Sequence, residues 1–420
     1  MSLERVTSQY DDSLSERFLM NGVPYTSQYF TLSMQKLETL KPCFRPLIEQ
    51  RWPDTAFKCG LNDANREEYV YVDSIKDAKK QSVIVGMLYK EMKLRPSPLA
   101  EYASVVHVKQ QILPKYISED DRLFIEDETV RMPIRDCKVL NPQLMVTGVI
   151  VCLKGVINDQ GEFETEEYML PGQYLTIPFV PAAEEKYVAF VSGLQIAEAN
   201  VDHSALMLLK DFILGNTPLN DLSRKITRLI VAGNGVGNCD IQSLVECDVY
   251  LSQLASCVYI DVMPGDADPS NRNIPQQPII PCFFEHSKRY GTFKSVTNPY
   301  FFSVDGIRFL GTSGQSVKGV CDYSMLSEID ALKLSVMSRL IAPTAPDTLG
   351  CHPEAKGLTL EKNEEFPHIV FSGNCSEYAF SALGNGGEPP VALCVPKFRT
   401  LPSIVLVSLS TLKAKLIKLC

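Results

Sequence analysis

The chain has 420 residues, 45% of them hydrophobic and 22% charged, with a net charge of -9 and a pI near 5.3. Single cores usually stop growing near about 250 to 300 residues, so this length implies two or three domains, and the composition excludes a disordered chain. The acidic balance opposes a phosphate backbone, so any nucleic-acid contact has to come from a local patch.

The start, Met1-Ser2-Leu3-Glu4-Arg5-Val6, has no basic residues followed by an apolar stretch, and no apolar run reaches the length of a membrane span. A soluble intracellular protein with no membrane contact is expected. Thirteen cysteines are scattered from Cys43 to Cys420 without a Cys-x-x-Cys pair, which reads as reduced thiols rather than a disulfide framework or a zinc site. No five-residue basic cluster offers a nuclear import signal.

Residues 1–25 are polar and rich in serine and acid, and read as a mobile N-terminal lead. Residues 26–55 read as a docked helical segment, with Phe30, Leu32, Leu37, Leu40, Phe44 and Leu47 on one apolar stripe, interrupted at Pro42 and Pro46.

From about 80 to 180 the signals become β, within a domain expected over 56–180. Val83 to Tyr89 is a strand whose Gly86 marks a bend, and Val146 to Gly155 is a second. The latter leads through Asn158-Asp159-Gln160-Gly161, a hairpin turn, into the alternating Glu162 to Tyr168. With long irregular links such as Lys93 to Tyr116, these strands suit a five-stranded OB barrel; a small β-sandwich is the alternative. An OB barrel often binds single strands through aromatics on a basic groove. Here Tyr89, Tyr102, Tyr116, Phe124 and Phe163 lie among Glu119-Asp120-Asp121 and Glu126-Asp127-Glu128, which favours a protein-binding barrel.

After a polar linker at Pro181 to Lys186, residues 186–420 alternate strands with helices, which implies mixed sheets covered by helices. Strands are expected at Val188 to Val191, Arg228 to Val231 and Val258 to Met263, with helices at His203 to Ile213, closed by Gly215, and at Asp240 to Leu254. The second helix would bury Ile241, Leu244, Val245 and Leu254. A helix from Leu326 to Leu340 then interrupts strands near residues 300–310, 368–371, 391–395, 404–409 and 415–419.

Four strands run into glycine turns: at Ser192-Gly193-Leu194, Gly233-Asn234, Pro264-Gly265-Asp266 and Ser372-Gly373-Asn374. One such turn is ordinary, because glycine is the residue that turns most cheaply. Four in order give the layout of a metallophosphoesterase rim, where carboxylates and imidazoles gather two metal ions. The chain has five histidines, His107, His203, His286, His352 and His368, none in a turn just after one of these strands. All five read as structural or surface residues. Cys351-His352 is no nucleophile and base pair, since partners in such sites meet in space rather than in sequence.

Several segments together resemble the small accessory subunits (B-subunits) of DNA polymerase delta. They include Asp261-Val262-Met263-Pro264-Gly265, Asp268-Pro269, Pro275-Gln276-Gln277-Pro278, Val296-Thr297-Asn298-Pro299-Tyr300, Phe309 to Gln315, and Ala342 to Cys351. Upstream, Gly86 to Lys90 and Leu113 to Ile117 fit too, so the likeness covers nearly everything after about residue 25. It implies an OB fold followed by a calcineurin-like phosphoesterase domain that has lost its catalytic residues.

Active relatives carry Asp-x-His where Ser192 and Leu194 stand, and Gly-Asp-x-x-Asp where Gly233-Asn234-Gly235-Val236-Gly237 stands, with both acids absent. Gly-Asn-His-Asp is similar to Gly265-Asp266-Ala267-Asp268, a later ligand histidine falls near Ser313, and Gly-His-x-His becomes Gly373-Asn374-Cys375-Ser376. Asn, Ser and Leu are poor ligands for catalytic metals, and Asp266 and Asp268 alone suit a turn better than a metal pair.

The resemblance therefore implies no enzyme activity, metal or cofactor. It implies a nuclear scaffold holding the cysteine-rich C-terminal domain of the catalytic subunit and a further accessory subunit, with the sliding clamp and DNA met mainly through partners. The segment between Asn234 and Val258 is shorter than the family pattern, so a surface element is reduced there. The rival readings are an active phosphoesterase using Asp266, Asp268 and nearby histidines in a rebuilt site, and a free-standing single-strand binder.

Overall fold

The computed structural model describes residues 5–20, 22–57, 69–96, 113–135, 139–173, 175, 177–198, 201–238, 241–384 and 387–419. His107, Tyr102 and most of the Lys93 to Tyr116 link lie outside these residues.

The first unit is a barrel. Strands β2 (Ala56–Phe57), β3 (Val70–Val72), β4 (Gln81–Glu91), β5 (Arg122–Glu126), β6 (Arg131–Arg135), β7 (Ile150–Ile157) and β8 (Phe163–Met169) lie in the order β2-β3-β4-β5-β6-β8-β7, and β4 also pairs with β7. Five of them, β4 to β8, close the barrel, and β2 and β3 extend it. The long β4 changes partner part-way: Gln81 to Met87 pair with β7, while Met87 to Glu91 pair with β5. Gly86 sits at that change, where a Cβ would stand 2.6 Å from Ile125 Cγ1 and 2.9 Å from Glu126 O, so the expected bend is where the barrel closes. The expected hairpin joins β7 to β8, with Asn158 Oδ1 accepting from the backbone N–H of Gln160 and Glu162, both at 2.9 Å.

Helix α1 (Tyr29–Arg51) covers the outer face of β4 and β7. Leu37, Leu40, Phe44 and Ile48 pack on Val83, Val85, Met87, Ile150 and Cys152, while the alternate residues Ile84, Leu88, Val151 and Leu153 face the barrel core. The helix is continuous through Pro42 and Pro46, contrary to the expected interruption. Both prolines lie on the exposed side, where water can solvate the carbonyls they release, while packing on the barrel holds the helix together. The buried stripe also differs from expectation: Phe30 is exposed, and Lys36 and Ile48 are buried.

The second unit is a sandwich of two six-stranded sheets. The first has the order β12-β11-β10-β9-β18-β19, built from β9 (Tyr187–Val191), β10 (Ile226–Ala232), β11 (Tyr259–Met263), β12 (Phe293–Ser295), β18 (Ser403–Ser408) and β19 (Ala414–Lys418). The facing sheet has the order β1-β13-β14-β15-β17-β16, from β1 (Tyr10–Asp11), β13 (Tyr300–Val304), β14 (Ile307–Thr312), β15 (Ile369–Cys375), β16 (Ala379–Ala382) and β17 (Val391–Pro396). Between the sheets, Phe190 meets Phe371 at 4.8 Å and Phe302 stacks on Phe309 at 5.0 Å. On the outer face of the first sheet, Ala189, Val191, Leu229, Val231 and Ile260 pack against α2 (His203–Leu214) and α4 (Ile241–Ala255), with the short α3 (Asn220–Arg224) between them in sequence. Gly215 ends α2 in the left-handed region at φ 79°.

Helix α4 buries Leu254 and packs half-buried Leu244 on the core as expected, but the rest of its inward face differs. Ile241 and Val245 are exposed and Cys247, Asp248, Leu251 and Leu254 are buried. Asp248 points inward because its carboxylate accepts from the backbone N–H of His286 at 2.6 Å and Ser287 at 2.9 Å.

The N-terminal stretch from Arg5 is not a mobile lead. The Arg5 guanidinium donates to the carbonyls of Cys257 at 2.7 Å and Ile226 at 3.2 Å, and also to those of Ser223 and Ile213. Next, β1 pairs antiparallel with β13, and Phe18 is fully buried. A polar composition concealed this because the anchoring is carried by one arginine, one edge pairing and one aromatic.

Helices α5 (Gln315–Asp322) and α6 (Glu328–Met337) flank the second sheet and meet the barrel. One apolar cluster runs from the barrel interior (Ile84, Leu153, Val149) into these helices (Val317, Val320, Leu332, Val336). Polar ties border it: Lys90 Nζ donates to Tyr323 O and Lys115 Nζ to Ser324 O, both at 2.9 Å, just past the carboxyl end of α5. Among the described residues no helix is long and apolar enough to cross a membrane.

Candidate functional site

The glycine turns that end β9, β10, β11 and β14 converge at one pole of the sandwich with Gly373-Asn374, which lies at a bulge inside β15 rather than in the turn expected after it; this is the usual functional rim of such sheets. They are in direct contact. A Cβ on Gly233 (φ 85°) would stand 2.1 Å from Ser313 Cβ, one on Gly265 2.0 Å from Asn234 Oδ1, and one on Gly373 1.9 Å from Ala232 O. Glycine is required here by close approach. Asn234 and Asn374 follow two of these glycines at φ 52° and 54°, the left-handed region that asparagine tolerates best after glycine.

Neutral side chains fill the pole. Ser192 Oγ donates to Pro396 O at 3.0 Å and accepts from Asn374 N–H at 2.9 Å. Asn374 Nδ2 donates to Ser313 O at 2.8 Å. Asn298, fully buried, donates from Nδ2 to Gln276 Oε1 at 2.7 Å, Gln315 Oε1 at 3.1 Å and Ser313 Oγ, and accepts from Ser313 N–H at 3.1 Å. Gln315 Nε2 returns to Gln276 Oε1 at 2.8 Å. The result is an amide and hydroxyl network in which Asn298, Gln276, Gln315 and Ser313 bond one another, while Asn374 Oδ1 is buried without a partner.

The two acids of the β11 turn, Asp266 and Asp268, have different surroundings. Asp268 is buried and accepts four backbone N–H bonds, from Gly237 at 2.8 Å, Val236 and Gly265 at 2.9 Å and Gly235 at 3.3 Å. Burial pushes its pKa above the ordinary carboxylate value, and these donors pull against that rise. It serves as an anchor for the β10 and β11 turns. Asp266 is exposed and accepts from Asn234 Nδ2 at 2.7 Å, while Asn234 Oδ1 accepts from Ala267 N–H at 3.0 Å. Beside them lies a cleft of about 220 Å³, lined by Gly237, Asn238, Asp266, Ala267, Ser270 and Arg272 among others. Among the described residues that line it, only Asp266 offers a carboxylate edge not taken up by backbone N–H groups.

Of the candidate ligand positions, Ser192, Asn234, Ser313 and Asn374 meet at the pole with Asp266, Ala267, Asp268 and Gly237 alongside. Two do not meet there. Leu194 is buried in the helix-side core, and Ser376 turns away, bonding Glu328 through its N–H at 2.8 Å and Oγ at 2.7 Å. Among the described residues no three His, Cys, Asp or Glu side chains gather where they could hold a metal ion. In the sequence Gln276, Asn298 and Gln315 stand out only as parts of the family signature; their amides in short turns, two beside proline, are the available signal. Cys351 is buried, its thiol pushed up to about 11 by desolvation, and His352 Nδ1 accepts from Glu354 N–H at 3.1 Å, so the pair is not arranged for nucleophilic chemistry.

Comparison with known proteins follows the same two units. Residues 28–168 match the family model described as DNA polymerase delta subunit OB-fold domain, and residues 188–380 match the family model of the B-type subunits of DNA polymerases alpha and epsilon. The DNA polymerase delta small subunit of Arabidopsis thaliana is 34% identical over 442 residues, spanning 98% of this chain and 95% of that protein. The chain belongs to the DNA polymerase delta small-subunit family.

DNA polymerase delta subunit 2 of Drosophila melanogaster is 28% identical over 98% of each chain, and the small subunit of Saccharomyces cerevisiae is 27% identical over 94% of this chain and 90% of its own. A member of the delta small-subunit family is an accessory polymerase subunit, distinct from the catalytic one. Among solved structures, an archaeal phosphodiesterase covers 55% of this chain and 99% of its own at 13% identity with a TM-score of 0.32. That likeness bears no weight for the chemistry of the pole.

Proposed function

We propose that this chain is a non-catalytic scaffold of DNA polymerase delta in replication and repair synthesis. It holds the cysteine-rich C-terminal domain of the catalytic subunit and a further accessory subunit, and it meets the sliding clamp and DNA mainly through them, in the nucleus. The observation that carries this reading is the family match along 98% of the chain.

The polar network supports the non-catalytic part. Ser192, Leu194, Asn234, Gly237, Ala267, Ser313, Asn374 and Ser376 stand where the resemblance expects ligands or their neighbours, and Ser192, Asn234, Ser313 and Asn374 hydrogen-bond to groups within the pole. The continuous core between barrel and sandwich supports the scaffold part, because a rigid body presents partner sites at fixed spacing.

Affinity purification of the full chain from its own cells, with identification of what comes along, tests the assignment. A polymerase delta catalytic subunit at near-equal amount is expected. Recovery of the chain without any polymerase subunit would overturn it.

A further inference from the structure

The strands at the ends of the two sandwich sheets differ in how their open edges are protected. Edge strands expose unpaired N–H and C=O groups, and proteins usually blunt them with shortness or with lysine. β19 carries exposed Lys415 and Lys418 and follows exposed Lys413; β12 has only three residues and an exposed Lys294; β1 has two. β16, at four residues, is longer than β12 and β1 and carries no lysine. From Tyr378 to Gly384 the sequence is Tyr-Ala-Phe-Ser-Ala-Leu-Gly, without a charge.

Both faces of β16 are already used. Tyr378, Phe380 and Ala382 pack into the core between the sheets, Ala379 and Leu383 pack toward α6 and the barrel-side cluster, and Tyr378 Oη donates to Ala414 O at 3.0 Å. One edge pairs with β17, Ala379 opposite Cys394 through Ala382 opposite Val391. The other edge has no pairing strand among the described residues. What is left open is a row of backbone donors and acceptors on a strand held on both faces, which an extended polypeptide matches.

The geometry points to β16 as the acceptor of an added strand, supplied by an extended segment of another polymerase subunit and bracketed by basic residues. This rests on the scaffold reading above. The charge pattern selects the occupant: exposed Glu377 stands before the uncharged run and exposed Glu388 after it, so a segment with Lys or Arg at its ends is favoured at both. A second copy of this chain is disfavoured, because antiparallel pairing of two such edges sets the Glu377 end of one against the Glu388 end of the other.

Hydrogen exchange read by mass spectrometry tests this on the full chain alone and on the assembly purified with its polymerase subunits. The outward amides of residues 379–383 should exchange at least about tenfold more slowly in the assembly. An assembly that forms while these amides keep the free chain's rate overturns the strand addition and leaves the scaffold reading standing. A free chain that is dimeric and already protected there overturns the choice of occupant. If no polymerase subunit joins the chain, the scaffold reading fails and this inference falls with it. Two variants read the same edge: Ser381→Lys, and Glu377→Lys combined with Glu388→Lys. Each should weaken retention of the partner by about tenfold or more at an unchanged thermal midpoint. Undiminished retention in the charge-reversed variant contradicts the proposal even where Ser381→Lys perturbs folding.

Discussion

Asn298 is buried with all of its side-chain polar atoms bonded, to Gln276, Ser313 and Gln315. Asn298→Ala leaves several of those groups unpaired in a site that admits little water, so it should cost about 2 to 3 kcal/mol. Urea unfolding should show the midpoint falling with the slope unchanged, and a shift under about 0.5 kcal/mol would contradict the network's role.

His368 gives the pH dependence. Its Nδ1 accepts from Arg308 N–H at 2.9 Å and its Nε2 faces Pro178 O at 3.1 Å, so the ring is held neutral. Burial, with the Arg308 charge adding, lowers its pKa from 6.5 to about 4. Above pH 6.5 neither folded nor unfolded chain is protonated there. Between 6.5 and about 4 only the unfolded chain takes the proton, so stability is lost as pH falls. In His368→Gln this contribution vanishes, so the wild type's advantage over it should shrink by about 2 to 3 kcal/mol from pH 7 to pH 4.

At this scale the neutral residues of the pole, such as Ser192 and Asn374, are read directly from the sequence. Their meeting with Gln276, Asn298 and Gln315 was not visible, because these come from separate segments that only the sandwich brings together.

The elements were legible where side-chain period and turn chemistry agreed. The β7–β8 hairpin and the Gly86 bend follow from Asn158 to Gly161 and from a glycine inside an apolar strand. Reading failed where tertiary packing overrode local preference. Pro42 and Pro46 sit four residues apart on the solvent side of α1, so the helix survives at a cost that packing offsets. Pro42→Ala should therefore raise stability by about 1 kcal/mol or more, seen as a higher thermal midpoint; a lower midpoint would show that the proline serves the helix. The inward turn of Asp248 on α4 was hidden for a related reason: its partners are backbone N–H groups 38 and 39 residues away. Arg5 shows the same limit at the N-terminus. Arg5→Ala removes donors to four buried-edge carbonyls and should cost about 1 to 3 kcal/mol, with faster hydrogen exchange in β1 and β13.

The whole molecule is a barrel and a sandwich joined through one apolar cluster, with Lys90, Lys115 and Arg339 tying the border; Arg339 Nε donates to Pro171 O at 2.9 Å. The two-unit order was legible because the apolar period changes near Pro181. The joint was not, since it is built from residues far apart in the chain. The shared core and the bonded pole support the proposed scaffold role, and metal binding together with catalysis tests that proposal most directly. The purified full chain, supplied with manganese, should retain no stoichiometric transition metal and should not hydrolyse phosphomono- or phosphodiesters. Stoichiometric metal together with turnover abolished by Asp266→Ala would contradict the account.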